Sequence, residues 1–295
     1  MGFTADDTTT ITSEIRKLAM TADSLPHLAM GSIEALLEPL TQLTVQAGAA
    51  ILAVNRNVMT VEGKSDGSPV TEADLAADRV ICEGLTRLCP GIPALSEEQL
   101  RLARPPYAGA FFLIDPLDGT KEFVAGRHEF TVNIALVVDG VPTFGIVGAP
   151  ALGLIWRGLL GRGAERIEIK SDLTIGRTTA IRTRPMPPAG EPWVAAVSRS
   201  HGDIRSETFI ASRPGAKRQE FGSALKFCRV AEGQADIYPR LSPTCEWDVA
   251  AGHAVVTAAG GHVADSHGQP LQFGGRRADF IVPEFIAWGE RAART

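Results

Sequence analysis

A hexapeptide near the middle of the chain, Asp115-Pro116-Leu117-Asp118-Gly119-Thr120, carries the clearest chemical signal. It follows an apolar run, FFLI at 111–114, and opens a short helical stretch, TKEF. Two aspartates three apart at the end of a strand crowd negative charge at a sheet edge, and crowded carboxylates repel unless a cation is shared. Mg²⁺ suits them, because it takes oxygen ligands and completes its octahedron with water and substrate phosphate. Pro116 stiffens the turn, Gly119 admits a ligand close to the backbone, and the helix start beyond presents free N–H groups to an anion. A plain surface turn at Asp-Gly competes with this reading. The calcium loop D-x-[DN]-x-[DN]-G is not matched, and Walker GxxxxGK[ST] and dinucleotide GxGxxG loops are absent.

Other acidic positions join the set. Glu97-Glu98 follow PALS, a short apolar segment that can end at the same edge, although a solvated helix start would look the same. Asp248, in CEWDVAAGHAVV, stands at the entrance of an apolar helix, where capping alone would explain a carboxylate. Asp74 closes Thr71-Glu72-Ala73-Asp74, a capping-box pattern that accounts for both ends without any catalysis. A cap at Thr71 still leaves Asp74 free to point into a cleft. Charge is also segregated: residues 60–125 hold eleven acids and six bases, and residues 199–240 hold eight bases and five acids. An acidic half facing a basic half suits a site where metals and cations share an anionic substrate.

The elements that must position these residues are legible from periodicity. Leu36, Leu40, Leu43, Ala47, Ile51 and Val54 recur at helical spacing despite Pro39, and a second helix runs from about Thr71 to Cys89, stopping at Pro90-Gly91. Val58–Gly63 is a candidate strand. TVNIALVV (131–138), an Asp139-Gly140 turn and VPTFGIVGA (141–149) read as an antiparallel hairpin, with further strands at 154–159 and 167–170. The proline-rich stretch 181–192 is the best linker. Beyond it strands and helices alternate: WVAAVS, a helix near 203–211, KRQEF, a helix at 223–232, ADIY, a helix at 247–259, HVAD and FIVP. The expected organisation is an extension over 1–30, poorly ordered; a metal-binding α+β part over 31–188; and a substrate-recognising α/β part over 189–295. An antiparallel-sheet half is thus followed by a mixed-sheet half.

Composition narrows the classes. The 295 residues are 44% hydrophobic and 21% charged, with a net charge of −5, which speaks against coating polymeric nucleic acid. No run approaches the roughly 20 apolar residues that span a bilayer. The first twenty residues carry Asp6, Asp7 and Glu14 and do not read as a secretory signal. The four cysteines, Cys82, Cys89, Cys228 and Cys245, form no CxxC and no zinc spacing, so reduced thiols are expected. The expected compartment is the cytoplasm, in solution or peripherally on the inner face of the membrane.

Taken in order, KSDGSPVTEAD (64–74), ALSEE (94–98), LIDPLDGTKEF (113–123) and EWDVAAGHAVV (246–256) resemble the signature segments of the inositol monophosphatase superfamily of metal-dependent, lithium-sensitive phosphomonoesterases. Lys121-Glu122-Phe123 after DGT, VSRSH at 197–201 and FGSALKFCRVAEGQADIYPR at 221–240 resemble its 3′(2′),5′-bisphosphate nucleotidase branch of the CysQ type. Where inositol phosphatases place a sugar-binding Glu, six residues before the metal-binding Asp, this chain has Ser242, or Leu241 in a shifted alignment.

The resemblance implies a layered α-β-α-β-α sandwich and a set of roles. Glu97, Asp115, the Leu117 carbonyl, Asp118 and Asp248 match ligands of two or three Mg²⁺ ions, with Li⁺ inhibitory. Asp74 and Thr120 match the pair that orients and deprotonates the attacking water. Gly119, Thr120, Lys121, His201, Gly222, Ser223, Lys226, Tyr238 and Arg240 match substrate contacts. The implied activity is hydrolysis of adenosine 3′,5′-bisphosphate to AMP and phosphate by a monomer or homodimer. An inositol or sugar monophosphatase, and a metal- or nucleotide-binding regulator without catalysis, stay open as alternatives.

Overall fold

The computed structural model describes residues 30–56, 61–63, 69–102, 107, 109–199, 202–275 and 280–290. The expected extension before Met30, the KSDGS part of the first signature segment and His201 lie outside them. The helix read over 36–54 is α2 (Leu37–Ala53), preceded by a short α1 (Met30–Glu34). Pro39 falls in the first turn of α2, where its missing N–H has no intrahelical partner to lose. A two-stranded ribbon, β1 (Val61–Gly63) with β2 (Pro69–Thr71), leads into α3 (Glu72–Leu88).

Seven strands form the larger sheet in sequence order: β3 (Ala94–Ser96), β4 (Ala110–Asp118), β5 (Thr131–Val138), β6 (Val141–Ala149), β7 (Leu154–Leu159), β8 (Gly163–Ile169) and β9 (Ile175–Ile181). The expected hairpin is β5–β6, and positive φ at both Asp139 and Gly140 is what a tight two-residue turn requires. The sheet is mainly antiparallel, as expected, with only β3 running parallel to β4, and β9 was not anticipated because four of its residues are exposed and lack an apolar row. A one-turn helix, α4 (Thr120–Val124), follows β4.

The second half builds β10 (Val194–Ser198), α5 (Ile204–Ala211), β11 (Lys217–Phe221), α6 (Leu225–Ala231), β12 (Ile237–Arg240), β13 (Thr244–Cys245), α7 (Glu246–Ala258), β14 (His262–Ala264), β15 (Ile281–Val282) and β16 (Phe285–Trp288). Its five-stranded sheet, β11-β10-β12-β16-β14, is parallel over the first three strands and antiparallel over the rest. Helices α2 and α3 cover one face of the large sheet, α6 and α7 lie between the sheets, and α5 covers the outer face of the small one. These are the five layers of an α-β-α-β-α sandwich.

The core explains the sequence pattern. Along β5, Ala135 and Val137 face α7 while Val132, Ile134 and Leu136 face α2 and α3, so a strand covered on both sides reads as a continuous apolar run. Helix α7 comes close enough to β6 and β7 that a Cβ on Gly145 would sit 2.2 Å from the Ala251 carbonyl.

Candidate active site

The aspartates of β4 owe their placement to a bulge. Phe111 and Leu113 face α7, and Asp115 continues that row opposite Asn133. Three residues further on, Asp118 would ordinarily turn to the other face. The register shifts between them, so Asp118 pairs with Thr131, two residues from Asn133, and both carboxylates share one face. Thr131 Oγ1 and Asn133 Nδ2 each approach Asp118 Oδ2 at 3.4 Å. Asp115 Oδ1 accepts the Leu117 N–H at 3.0 Å, which shapes the turn.

Around this turn opens a cleft of about 230 Å³ between the two sheets. Glu97, Asp115, Leu117, Asp118, Gly119, Thr120 and Lys121 line it from the first half, and Gly222, Ser223, Lys226, Tyr238, Arg240 and Asp248 from the second. Residues 101 to 151 positions apart in sequence thus meet on one surface. Glu122, Ser198, Phe227, Thr244, Cys245, Trp247 and Phe285 also line it.

Asp74 does not point into the cleft directly. It is 1% exposed, and its Oδ2 accepts both the Thr71 N–H (2.8 Å) and the Thr71 hydroxyl (2.6 Å), completing the capping box of α3. Its Oδ1 accepts the Thr120 hydroxyl at 2.9 Å, so Asp74 reaches the cleft wall through Thr120. Asp248 likewise serves α7 as a cap: its Oδ2 accepts the Thr244 hydroxyl and the Cys245 N–H. Both capping roles read from sequence are real, and they coexist with positions at the site.

The electrostatics are those of a partly buried acid cluster opposed by cations. Burial, and then Asp248 nearby, push the Asp118 carboxyl up to about 6, with Lys226, Asn133 and Arg240 pulling the other way. Burial pulls the Lys226 ammonium down to about 8, although Asp118 favours its charge. Lys226 Nζ donates to the Ser223 carbonyl at 2.6 Å and lies 5.3 Å from the Tyr238 ring centre. Burial raises the Tyr238 hydroxyl to about 12. The Gly222 N–H is not free for substrate, since it donates to Glu129 Oε2 at 2.8 Å. Gly119 takes a left-handed φ of 89°, and a Cβ there would meet Ser223 Oγ at 2.1 Å.

These residues fit a hard divalent cation. Every donor is an oxygen, Asp118 and Asp248 repel, and the buried Asn133 Oδ1 has no hydrogen-bond partner. Among the described residues no three carboxylates, histidines or cysteines gather closely enough to cage an ion alone. Mg²⁺ needs no such cage, because it is held by one or two carboxylates plus water and substrate.

Asn133, Thr131, Glu129 and Asp78 were not singled out from sequence. Polar Thr131 and Asn133 two apart in the apolar run TVNIALVV were the available signal for the first pair. Glu129 and Asp78 act through contacts distant in sequence and left none.

The family model described as "Inositol monophosphatase family" matches residues 32–292. The 3′(2′),5′-bisphosphate nucleotidase CysQ of Escherichia coli K12 is 41% identical over 258 residues, covering 85% of this chain and 98% of the relative. The crystal structure of CysQ from Bacteroides thetaiotaomicron superposes with a TM-score of 0.70 at 32% identity, covering 86% of this chain and 98% of that one. A Thermotoga maritima IMPase superposes with a TM-score of 0.67 at 26% identity, covering 85% of this chain and 91% of that one.

Proposed function

Since the chain belongs to the inositol monophosphatase family, we propose that it is a Mg²⁺-dependent 3′(2′),5′-bisphosphate nucleotidase that hydrolyses adenosine 3′,5′-bisphosphate to AMP and phosphate. The observation that carries the reading is the cleft in which Asp115, Asp118 and Asp248 lie across from Lys226 and Arg240. Likeness to CysQ of Escherichia coli supports the nucleotide. So does the position of the inositol-binding Glu, where Leu241 is buried with its N–H on Ser206 Oγ and its carbonyl on Arg205, and neither it nor Ser242 carries a carboxylate.

Glu97, Asp115, Asp118, Asp248 and the Leu117 carbonyl would hold two or three Mg²⁺ ions, and Li⁺ would inhibit by competing for them. When bound, Mg²⁺ supplies Lewis-acid polarisation of the phosphoryl group and makes water a usable nucleophile near neutral pH. The chain's own part begins at Thr120. Its hydroxyl lies 2.9 Å from Asp74 Oδ1 and 3.1 Å from the Leu117 carbonyl, and with the proton on the shorter bond to Asp74 its oxygen is left as an acceptor. An attacking water can therefore be held at Thr120 Oγ1 and lose its proton along the Thr120–Asp74 pair. Thr71 holds the Asp74 carboxylate still for that transfer. Lys226 supplies a point charge and Arg240 a planar fork for the second phosphate. Gly119, Lys121, Ser223, Tyr238 and His201 complete the substrate contacts, His201 from outside the described residues.

On this reading residues 31–188 carry the water and every metal ligand but Asp248, and residues 189–295 add Asp248 and most of the nucleotide contacts. Four cysteines without a disulfide are in keeping with a reducing, cytoplasmic setting. Among the described residues no helix is long and apolar enough to cross a membrane. The test is a phosphate-release panel over adenosine 3′,5′-bisphosphate, its sulfate-bearing relative and inositol 1-phosphate, in Mg²⁺ and then with added Li⁺. The bisphosphate nucleotide should be fastest and Li⁺ should suppress it; faster release from the inositol ester overturns the reading.

A further inference from the structure

We propose that Glu129 is a positioning residue for substrate binding: its carboxylate locks the 221–223 segment against the 118–129 segment and so sets where the Lys226 ammonium stands in the cleft. What Lys226 contacts rests on the hydrolase reading above; the lock itself rests on geometry alone.

Glu129 does not line the cleft, and its side chain is 24% exposed. Its Oε2 accepts the Gly222 N–H at 2.8 Å, while Arg199 grips both carboxylate oxygens, at 2.5 and 3.2 Å. The backbone of Glu129 takes part as well, because its carbonyl accepts the Ser223 hydroxyl at 2.9 Å, with the Asp118 carbonyl 2.8 Å from the same oxygen. Ser223 sits at φ 48°, a left-handed conformation that a serine adopts only when its surroundings hold it there. Gly222 lets the two segments approach, since a Cβ would lie 2.4 Å from the Glu129 carbonyl.

The consequence falls on Lys226. Its Nζ donates to the carbonyls of Ser223 (2.6 Å) and Phe221 (3.4 Å), the two residues that flank Gly222. The lysine head is therefore referenced to the very segment that Glu129 ties down. Arg199 neutralises the carboxylate, so an acid can sit behind an anion-binding wall without repelling the anion. Loss of the lock should weaken ground-state and transition-state contacts to a remote phosphate alike, which raises KM and spares kcat.

The experiment uses the full chain in saturating Mg²⁺ with adenosine 3′,5′-bisphosphate. E129A should raise KM about tenfold with kcat within about twofold, and E129Q, whose amide oxygen still accepts from Gly222, should recover most of the loss. In a K226M background E129A should add less than about twofold, because the two act as one unit. Hydrogen exchange over 221–226 should quicken in E129A and much less in E129Q. Unchanged KM, a kcat loss at constant KM, or full additivity with K226M overturns the proposal. If E129A does not fold, R199A, from the other side of the pair, takes its place in the same assays. If the wild-type chain releases no phosphate, the hydrolase reading falls, and exchange alone decides: faster exchange upholds the lock and unchanged exchange overturns it.

Discussion

Thr120 Oγ1 donates to Asp74 Oδ1 at 2.9 Å across 46 residues of chain, joining the first turn of α3 to the turn that ends β4. The same carboxylate caps α3 through Thr71. A helix start and the wall of the cleft are thus anchored on one side chain.

T120A should leave the fold and KM near wild type and lower kcat by about 10²–10⁴-fold, the usual range for a lost proton-transfer group. T120S should restore most of the rate, because the hydroxyl alone makes the bond. Steady-state phosphate release decides it; a KM change without a kcat change would assign Thr120 to binding only.

Asp118 lies half-buried beside Asp248, with Lys226 and Arg240 as partial counter-charges. D118N removes one of two repelling carboxylates, so in chelator its melting temperature should equal or exceed that of wild type. Mg²⁺ should raise the wild-type melting temperature and leave D118N nearly unmoved, since a ligand stabilises only the state that binds it. Phosphate release by D118N should fall at least about 100-fold. An undiminished Mg²⁺ shift in D118N removes Asp118 from the ligand set.

Asp78, one turn after Asp74 on α3, holds Ser96 and Gln99, on either side of the Glu97-Glu98 pair. Its Oδ1 accepts Ser96 Oγ at 2.5 Å and its Oδ2 accepts Gln99 Nε2 at 2.8 Å. D78A should raise the half-saturating Mg²⁺ concentration several-fold while kcat at saturation stays within about twofold, because only the segment carrying Glu97 is loosened. Titration of rate and of melting temperature against Mg²⁺ measures it.

His253 on α7 is buried, and that burial, with His262 nearby, pulls its imidazole down to about 4. The unfolded chain binds a proton there near pH 6.5, so stability is intact above that pH and falls as the pH drops from 6.5 toward 4. The drop between pH 7 and 5 should be about 2 kcal/mol larger in wild type than in H253Q. Urea unfolding at the two pH values tests it, and equal losses would remove His253 as the cause.

Much of the molecule was readable in one dimension because its signals are local. Helical spacing located α2 and α3, the Asp139-Gly140 pair located the β5–β6 hairpin, and an oxygen-rich turn after an apolar strand located Asp115 and Asp118. Turn chemistry and side-chain periodicity act over a few residues, so the chain writes them where they operate. β9 escaped because its exposed residues lack a periodic apolar row.

What the tertiary structure decided is how these pieces face one another. Asp115 and Asp118 are three positions apart, which in a regular strand would place them on opposite faces; only the bulge against Asn133 and Thr131 brings them together. Asp74 looked like a cap or a catalytic residue, and the arrival of Thr120 from the start of α4 makes it both a cap and a partner of the cleft wall. Glu129, with Arg199 and Gly222, left no mark in sequence, because its bonds close over 70 and 93 residues and depend on the two sheets packing through α7. The residue types and their spacing determined the chemistry this protein can do. Long-range packing decided which carboxylates share a face and where the cations stand against them.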